Sequence, residues 1–169
     1  MNIILCGMPS SGKTTLGKRV AEKLGWQFID TDHLLEATHG RPCRELFVEH
    51  GEEAFRTWEA ERIALLTGIT KHVIATGGGA LCREGNVELL RELGTLVYLK
   101  TPVDVLWERV QTVPRYVDWR RSKGAFNELA KQRVPLYHHA THYTIDTHNL
   151  SLEEVEALLV AIGEREYGE

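Results

Sequence analysis

The nine residues GMPSSGKTT, Gly7 to Thr15, satisfy the pattern G-x-x-x-x-G-K-[ST]. Glycines at both ends let the backbone turn so that successive N–H groups face one anion. Such a loop makes Ser10, Ser11, Gly12, Lys13, Thr14 and Thr15 a phosphate cradle. Lys13 supplies a mobile point charge for the outer phosphates of a nucleotide, and Thr14 offers a hydroxyl to Mg²⁺. A helix beginning near Lys13 adds the partial positive charge of its N-terminus. The motif follows an apolar run, NIILCG, and precedes a helical pattern, which is the context it requires.

A second group of chemistry-bearing residues lies in FIDTDHLLEATHG, where Asp30 and Asp32 end another apolar run. Strand alternation would point both carboxylates the same way, toward a strand-end crevice. There one can help hold Mg²⁺ while the other accepts a proton from an alcohol. The bland alternative is that both cap the following helix. Downstream, TGGG places Gly77, Gly78 and Gly79 after a third apolar run, where backbone can approach a ligand that any Cβ would exclude. Arg56 in FRTWE is either a carboxylate-binding guanidinium or a helix-surface partner of Glu59 or Glu52. The segment QTVPRYVDWRRSKG, Gln111 to Gly124, sets three arginines and a lysine against one aspartate. It is either a solvated loop or a place where something anionic passes. His138, His139 and His142 have near-ligand spacing but no carboxylate or cysteine at a zinc-like interval, so a structural role is expected.

These residues need a scaffold. NIILCG, WQFID, HVIATG, TLVYLK and HYTID are brief, β-branched or aromatic, and closed by polar or turn residues, which predicts five strands. Between them, Leu16, Val20 and Leu24 recur at steps of four, and Phe55, Trp58, Arg62 and Leu65 have helical spacing. VDVLWERV follows Pro102, and SLEEVEALLVAI opens with the Ser151–Glu154 spacing of a capping box. Strands alternating with helices predict an α/β fold, a parallel sheet covered on both faces, with ligands at the carboxyl ends of the strands. At 169 residues and 43% hydrophobic content the chain fits one domain, 1–169, with no dividing linker. A formal charge of −4 counts against a nucleic-acid partner, and no apolar run approaches the roughly 18 residues of a membrane span. Cys6, Cys43 and Cys82 are scattered and odd in number, which suits a reducing compartment. No export signal follows Met1. A cytoplasmic protein is expected.

GMPSSGKTT, FIDTDHLLE, GEEAFRTWE, VIATGGGA and RVPLYHHA, in this order and at these separations, resemble shikimate kinase. The resemblance runs from Asn2 to about Thr147. It implies a P-loop kinase fold with a five-stranded parallel sheet in order 2-3-1-4-5, and substrate-binding helices over about 32–66. It implies transfer of the ATP γ-phosphoryl group to the 3-hydroxyl of shikimate in aromatic amino-acid biosynthesis, with Mg²⁺, by a monomer. By motif, Asp32 contacts the shikimate hydroxyls and acts as base, while Asp30, with Thr14, organises Mg²⁺. Arg56 pairs with the substrate carboxylate, oriented by Glu59, and Arg133 is a second clamp. Gly77, Gly78 and Gly79 bring backbone to the substrate, and Phe47 and Phe55 line the pocket or fill the core.

The same resemblance places a lid over the phosphates at about 111–125, where the chain departs from the family. The usual RPLL is replaced by PRYVD. Spacing back from RVPLY makes Arg115 the match for the lid arginine on the γ-phosphate, with Arg120 and Arg121 as competitors. Arg109, just before the lid, matches the arginine that packs on adenine. Two other functions compete: a different small-molecule kinase such as a gluconate kinase, because DTDHL loosely resembles its DGD-x-L element, and a non-catalytic nucleotide switch. Neither an NKxD guanine-reading motif nor a DxxG switch follows a strand.

Overall fold

Burial along the first strand, β1 (Asn2–Cys6), is complete, and alternation sorts its side chains onto two faces. Ile4 and Cys6 join one core cluster, Ile3 and Leu5 another. A strand buried on both faces belongs at the centre of a covered parallel sheet. The computed structural model, which describes residues 1–112 and 122–168, shows that sheet. Its strands are β1, β2 (Gln27–Asp30), β3 (His72–Ala75), β4 (Gly94–Lys100) and β5 (Tyr143–Asp146), all parallel, in the order β2-β3-β1-β4-β5. The expected five strands and their order are thus observed. The order reverses beside β1, which opens a crevice at the carboxyl ends of β1, β2 and β3.

Seven helices cover the sheet among the described residues: α1 (Lys13–Leu24), α2 (Thr31–His39), α3 (Cys43–Ala64), α4 (Glu84–Leu93), α5 (Val103–Val110), α6 (Lys123–Ala140) and α7 (Leu152–Tyr167). On one face, Leu16 and Val20 of α1 and Val155 and Leu159 of α7 meet Ile3, Leu5, Val73, Val97 and Leu99. Gly17 permits this approach, since a Cβ there would run into the Phe28 ring. The other face carries α4, α5, α6 and the end of α3. The capping box of α7 forms as predicted, with Ser151 and Glu154 bonding each other's backbone.

The helix predicted around FRTWE begins earlier than its apolar pattern suggested. It runs from Cys43 and breaks at Gly51, whose φ of 83° is left-handed. Its buried stripe is Phe55, Glu59 and Ile63 rather than Phe55, Trp58, Arg62 and Leu65, and Leu65 is exposed beyond the helix end. A charged residue inside the stripe hides the period from a hydrophobicity reading. A small separate core of Leu35, Cys43, Leu46 and Phe55, flanked by Phe47 and Trp58, joins α2 to α3. Arg115, Arg120, Arg121 and most of the expected lid segment lie outside the described residues.

Candidate active site

A cleft of about 1170 Å³ opens at the carboxyl ends of the central strands. The phosphate cradle from Ser10 to Thr15 lines it, together with Asp30 and Asp32. So do Arg56, Arg109, Arg133 and the glycine triplet, from elements far apart in sequence.

The phosphate loop is built as its residue types require. Gly12 stands at the N-terminus of α1 with φ 97°, and no side chain caps the helix, which leaves its positive end facing the cleft. The buried Lys13 ammonium donates to the carbonyls of Gly7 at 2.8 Å and Met8 at 2.9 Å. Arg109, from the end of α5, donates to the Ser10 carbonyl at 3.1 Å. This places its guanidinium beside the loop, at the edge where Thr112 and Leu152 also line the cleft.

Asp30 does two jobs. It ends β2 and caps α2, its Oδ1 accepting from the backbone N–H groups of Asp32 at 3.0 Å and His33 at 3.3 Å. Its Oδ2 accepts from the Thr14 hydroxyl at 3.0 Å. A hydroxyl and a carboxylate oxygen held this close are hard oxygen donors of the kind Mg²⁺ takes. Asp32 differs from the expectation. It lies in the first turn of α2, not on the strand, so helix entry rather than alternation aims it. It does not cap. Asp32 is half-buried as a residue, but its Oδ1 is sealed from solvent and has no hydrogen-bond partner among the described residues. Burial, with Glu59 and Asp30 close by, raises its carboxyl from the ordinary 3.8 to about 7.

Opposite stand two arginines and a glutamate. Arg56 Nη1 donates to Glu59 Oε1 at 3.0 Å, and Glu52 lies 3.8 Å from Arg56 Nε. Glu59 is almost fully buried, and burial pushes its carboxyl up against the opposing pull of Arg56 and Arg133. The helix ion pair does not draw Arg56 away from the cleft, because Glu59 is buried and holds the guanidinium where it lines the cleft. Arg133, from α6, is buried to 8% exposure.

The glycine triplet is where these groups meet. A Cβ on Gly77 would lie 2.7 Å from Asp32 Oδ1 and 2.9 Å from Glu59 Oε2. One on Gly78 would lie 3.0 Å from Arg133 Nη1, and one on Gly79 would collide with the Arg56 guanidinium. The triplet is small because four charged side chains lie against it. Thr31 Oγ1 accepts from the Gly77 N–H at 3.2 Å, and the Tyr137 hydroxyl donates to the Gly78 carbonyl. Neither Thr31 nor Tyr137 was singled out by sequence, and neither was Glu36, which accepts from the Cys43 N–H at 3.0 Å and ties α2 to α3. Tyr137 follows Arg133 by one helical turn, a spacing from which it could have been found.

The remaining candidates are structural. Phe55 is wholly buried and Phe47 packs on its edge, so both serve the small α2–α3 core. His142 Nδ1 accepts from the Leu96 N–H at 3.0 Å, and His138 packs edge-on against Tyr98. No cluster of three metal-ligating side chains occurs among the described residues, and no described helix is long and apolar enough to cross a membrane.

Comparison with known proteins bears on what this cleft takes. The family model described as shikimate kinase matches residues 9–162. A shikimate kinase of Thermodesulfovibrio yellowstonii is 39% identical over 97% of this chain and 95% of its own length. One from Symbiobacterium thermophilum is 40% identical over 93% and 92%. The structure of the Acinetobacter baumannii shikimate kinase in complex with shikimate superposes with a TM-score of 0.87 at 34% identity, covering 99% of this chain and 95% of that one.

Proposed function

The chain belongs to the shikimate kinase family, and we infer that its cleft joins ATP to shikimate and yields shikimate 3-phosphate and ADP, a step of aromatic amino-acid biosynthesis. The observation that carries this reading is the convergence on the glycine triplet of one unpartnered carboxylate and two buried or half-buried arginines, next to a phosphate loop.

Two guanidiniums on one side suit a substrate carboxylate, which each can bind through paired N–H donors. Arg56 and Arg133 take that end in this reading. The acid is then oriented with its hydroxyls toward Asp32. Asp32 is half-buried and lines the cleft, so its carboxylate is available to accept the 3-hydroxyl proton, with an affinity for protons matched to neutral pH. As the 3-hydroxyl oxygen of shikimate bonds to the γ-phosphorus, the bond from that phosphorus to the β,γ-bridging oxygen breaks and ADP leaves with the electron pair. Lys13 and the N–H groups from Ser10 to Thr15 hold the phosphates in line and offset their charge. Thr14 and Asp30 would hold Mg²⁺, which supplies charge neutralisation across the phosphates when bound. Arg109, beside the phosphate loop, is assigned to pack on the adenine. Arg115 is assigned to the γ-phosphate from the lid, about 111–125.

The reading makes the enzyme a cytoplasmic monomer of one domain, with two small-molecule substrates and no nucleic-acid or membrane partner. The test is Asp32→Asn. Loss of the base is expected to lower kcat by about 10²–10⁴-fold while ATP affinity stays within a factor of about three, because the phosphate loop is untouched. Near-normal turnover would remove Asp32 from that role.

A further inference from the structure

Hydrogen bonds inside the glycine triplet leave very little of its backbone free. The Gly77 N–H goes to Thr31 Oγ1, the Gly77 carbonyl accepts from Ala80 and the Gly79 carbonyl from Cys82. The Gly78 carbonyl accepts from Tyr137. The N–H groups of Gly78 and Gly79 remain, with no acceptor among the described residues, and both glycines line the cleft.

The Gly78 carbonyl and the Gly79 N–H belong to one peptide plane. Every described peptide is trans, so the two bonds point in opposite directions. Whatever fixes the carbonyl therefore aims the N–H. Between two glycines this matters more than elsewhere, because no Cβ resists rotation of the plane. Tyr137 supplies the fixing contact from inside the protein. Its side chain is 1% exposed, its ring packs on Tyr98 at 5.1 Å between centroids, and its hydroxyl also lies 3.8 Å from Met8 Sδ of the phosphate loop. Burial raises its phenol far above neutral pH, so the proton it donates is always present.

Resting on the reading of this cleft as a shikimate site, we propose that Tyr137 is a positioning residue, whose hydroxyl locks the Gly78–Gly79 peptide so that the Gly79 N–H is presented to the carboxylate end of the substrate. One helix thus reaches the acid twice. Arg133 touches the triplet directly, and Tyr137, one turn on, acts through a peptide plane.

The test is Tyr137→Phe, which keeps the ring and removes the hydroxyl. The expected result is a rise in shikimate KM of about tenfold, one hydrogen bond's worth of orientation, with ATP KM within about twofold and kcat little changed. The Gly79 amide resonance of the wild-type enzyme should shift on adding shikimate and lose that response in the variant. Should Tyr137→Phe fold poorly, Thr31→Ala with the same Gly79 resonance gives the comparison, since it frees the other end of the triplet and leaves the Gly78 carbonyl held. There the Gly79 shift should persist. Unchanged shikimate KM, equal rises in both KM values, or a Gly79 shift preserved in Tyr137→Phe would overturn the proposal. Failure of the reading itself would look different, because the wild-type enzyme would then show no shikimate turnover at all.

Discussion

Asp32 is a carboxylate held at the cleft against its own preference. Its Oδ1 is sealed from water with no hydrogen bond from the described residues, and Glu59 stands beside it against Gly77. Ionisation is therefore disfavoured in the folded protein, with the carboxyl raised from 3.8 to about 7. Two consequences have opposite signs. The proposed base must be ionised, so kcat/KM for shikimate should rise with pH and level off above about pH 7. The fold prefers the proton, so stability from this group is complete below the unfolded value and is lost as pH rises through about 7. Asp32→Asn should accordingly melt higher than wild type near pH 8 and about equally near pH 4, while losing turnover. A variant no more stable than wild type near pH 8 would contradict the strained carboxylate. The arginines allow a cleaner separation. Arg56→Ala and Arg133→Ala each remove charged hydrogen bonds to the acid, and shikimate KM should rise by roughly 10- to 100-fold with ATP KM nearly unchanged. Equal effects on both substrates would argue against the clamp.

At the level of elements, the phosphate loop and the strand ends were readable because their chemistry is local. Gly7 to Thr15 carries its own turn, its own cation and its own helix start. The α2–α3 region was harder. Its first helical stretch has only Cys43, Leu46, Phe47 and the exposed Val48 as apolar residues, its break needs Gly51 at φ 83°, and its core stripe includes Glu59. A charge inside a buried stripe becomes intelligible only when Arg56 and Arg133 are seen beside it, and Arg133 comes from another helix. The same limit explains Asp32. Strand alternation placed it in the crevice, whereas helix entry after Asp30 is what aims it. Gly51 offers a test of this element by itself. A Cβ there meets nothing within 4 Å, so the cost of Gly51→Ala is backbone conformation alone, on the order of 1–3 kcal/mol of stability at φ 83° and ψ 172°. Gly51→Asn should cost as much, since φ 83° with ψ 172° lies outside the left-handed helical well that asparagine tolerates. For the segment about 111–125, Arg115→Ala should lower kcat while Arg120→Ala and Arg121→Ala leave it near wild type. Loss only in the latter two would reassign the γ-phosphate contact.

For the molecule as a whole, the fold is a device for bringing distant residues to one line of backbone. The order β2-β3-β1-β4-β5 sets the ends of β1, β2 and β3 side by side. Those three strand ends deliver the phosphate loop, the aspartates and the glycine triplet, and α3 and α6 then bring Arg56 and Arg133 over them. Strand number and order followed from the sequence because short β-branched runs alternate with helical patterns. The meeting of four charged side chains on three glycines did not, because no local pattern records a distance between residues 32, 56, 59 and 133. The cleft so assembled phosphorylates a hydroxyl of shikimate. A coupled ADP-release assay with ATP and Mg²⁺, supplied in turn with shikimate, gluconate and CMP, tests it most directly. ADP release stimulated by shikimate alone is the predicted result. Release with gluconate or CMP and none with shikimate would contradict it.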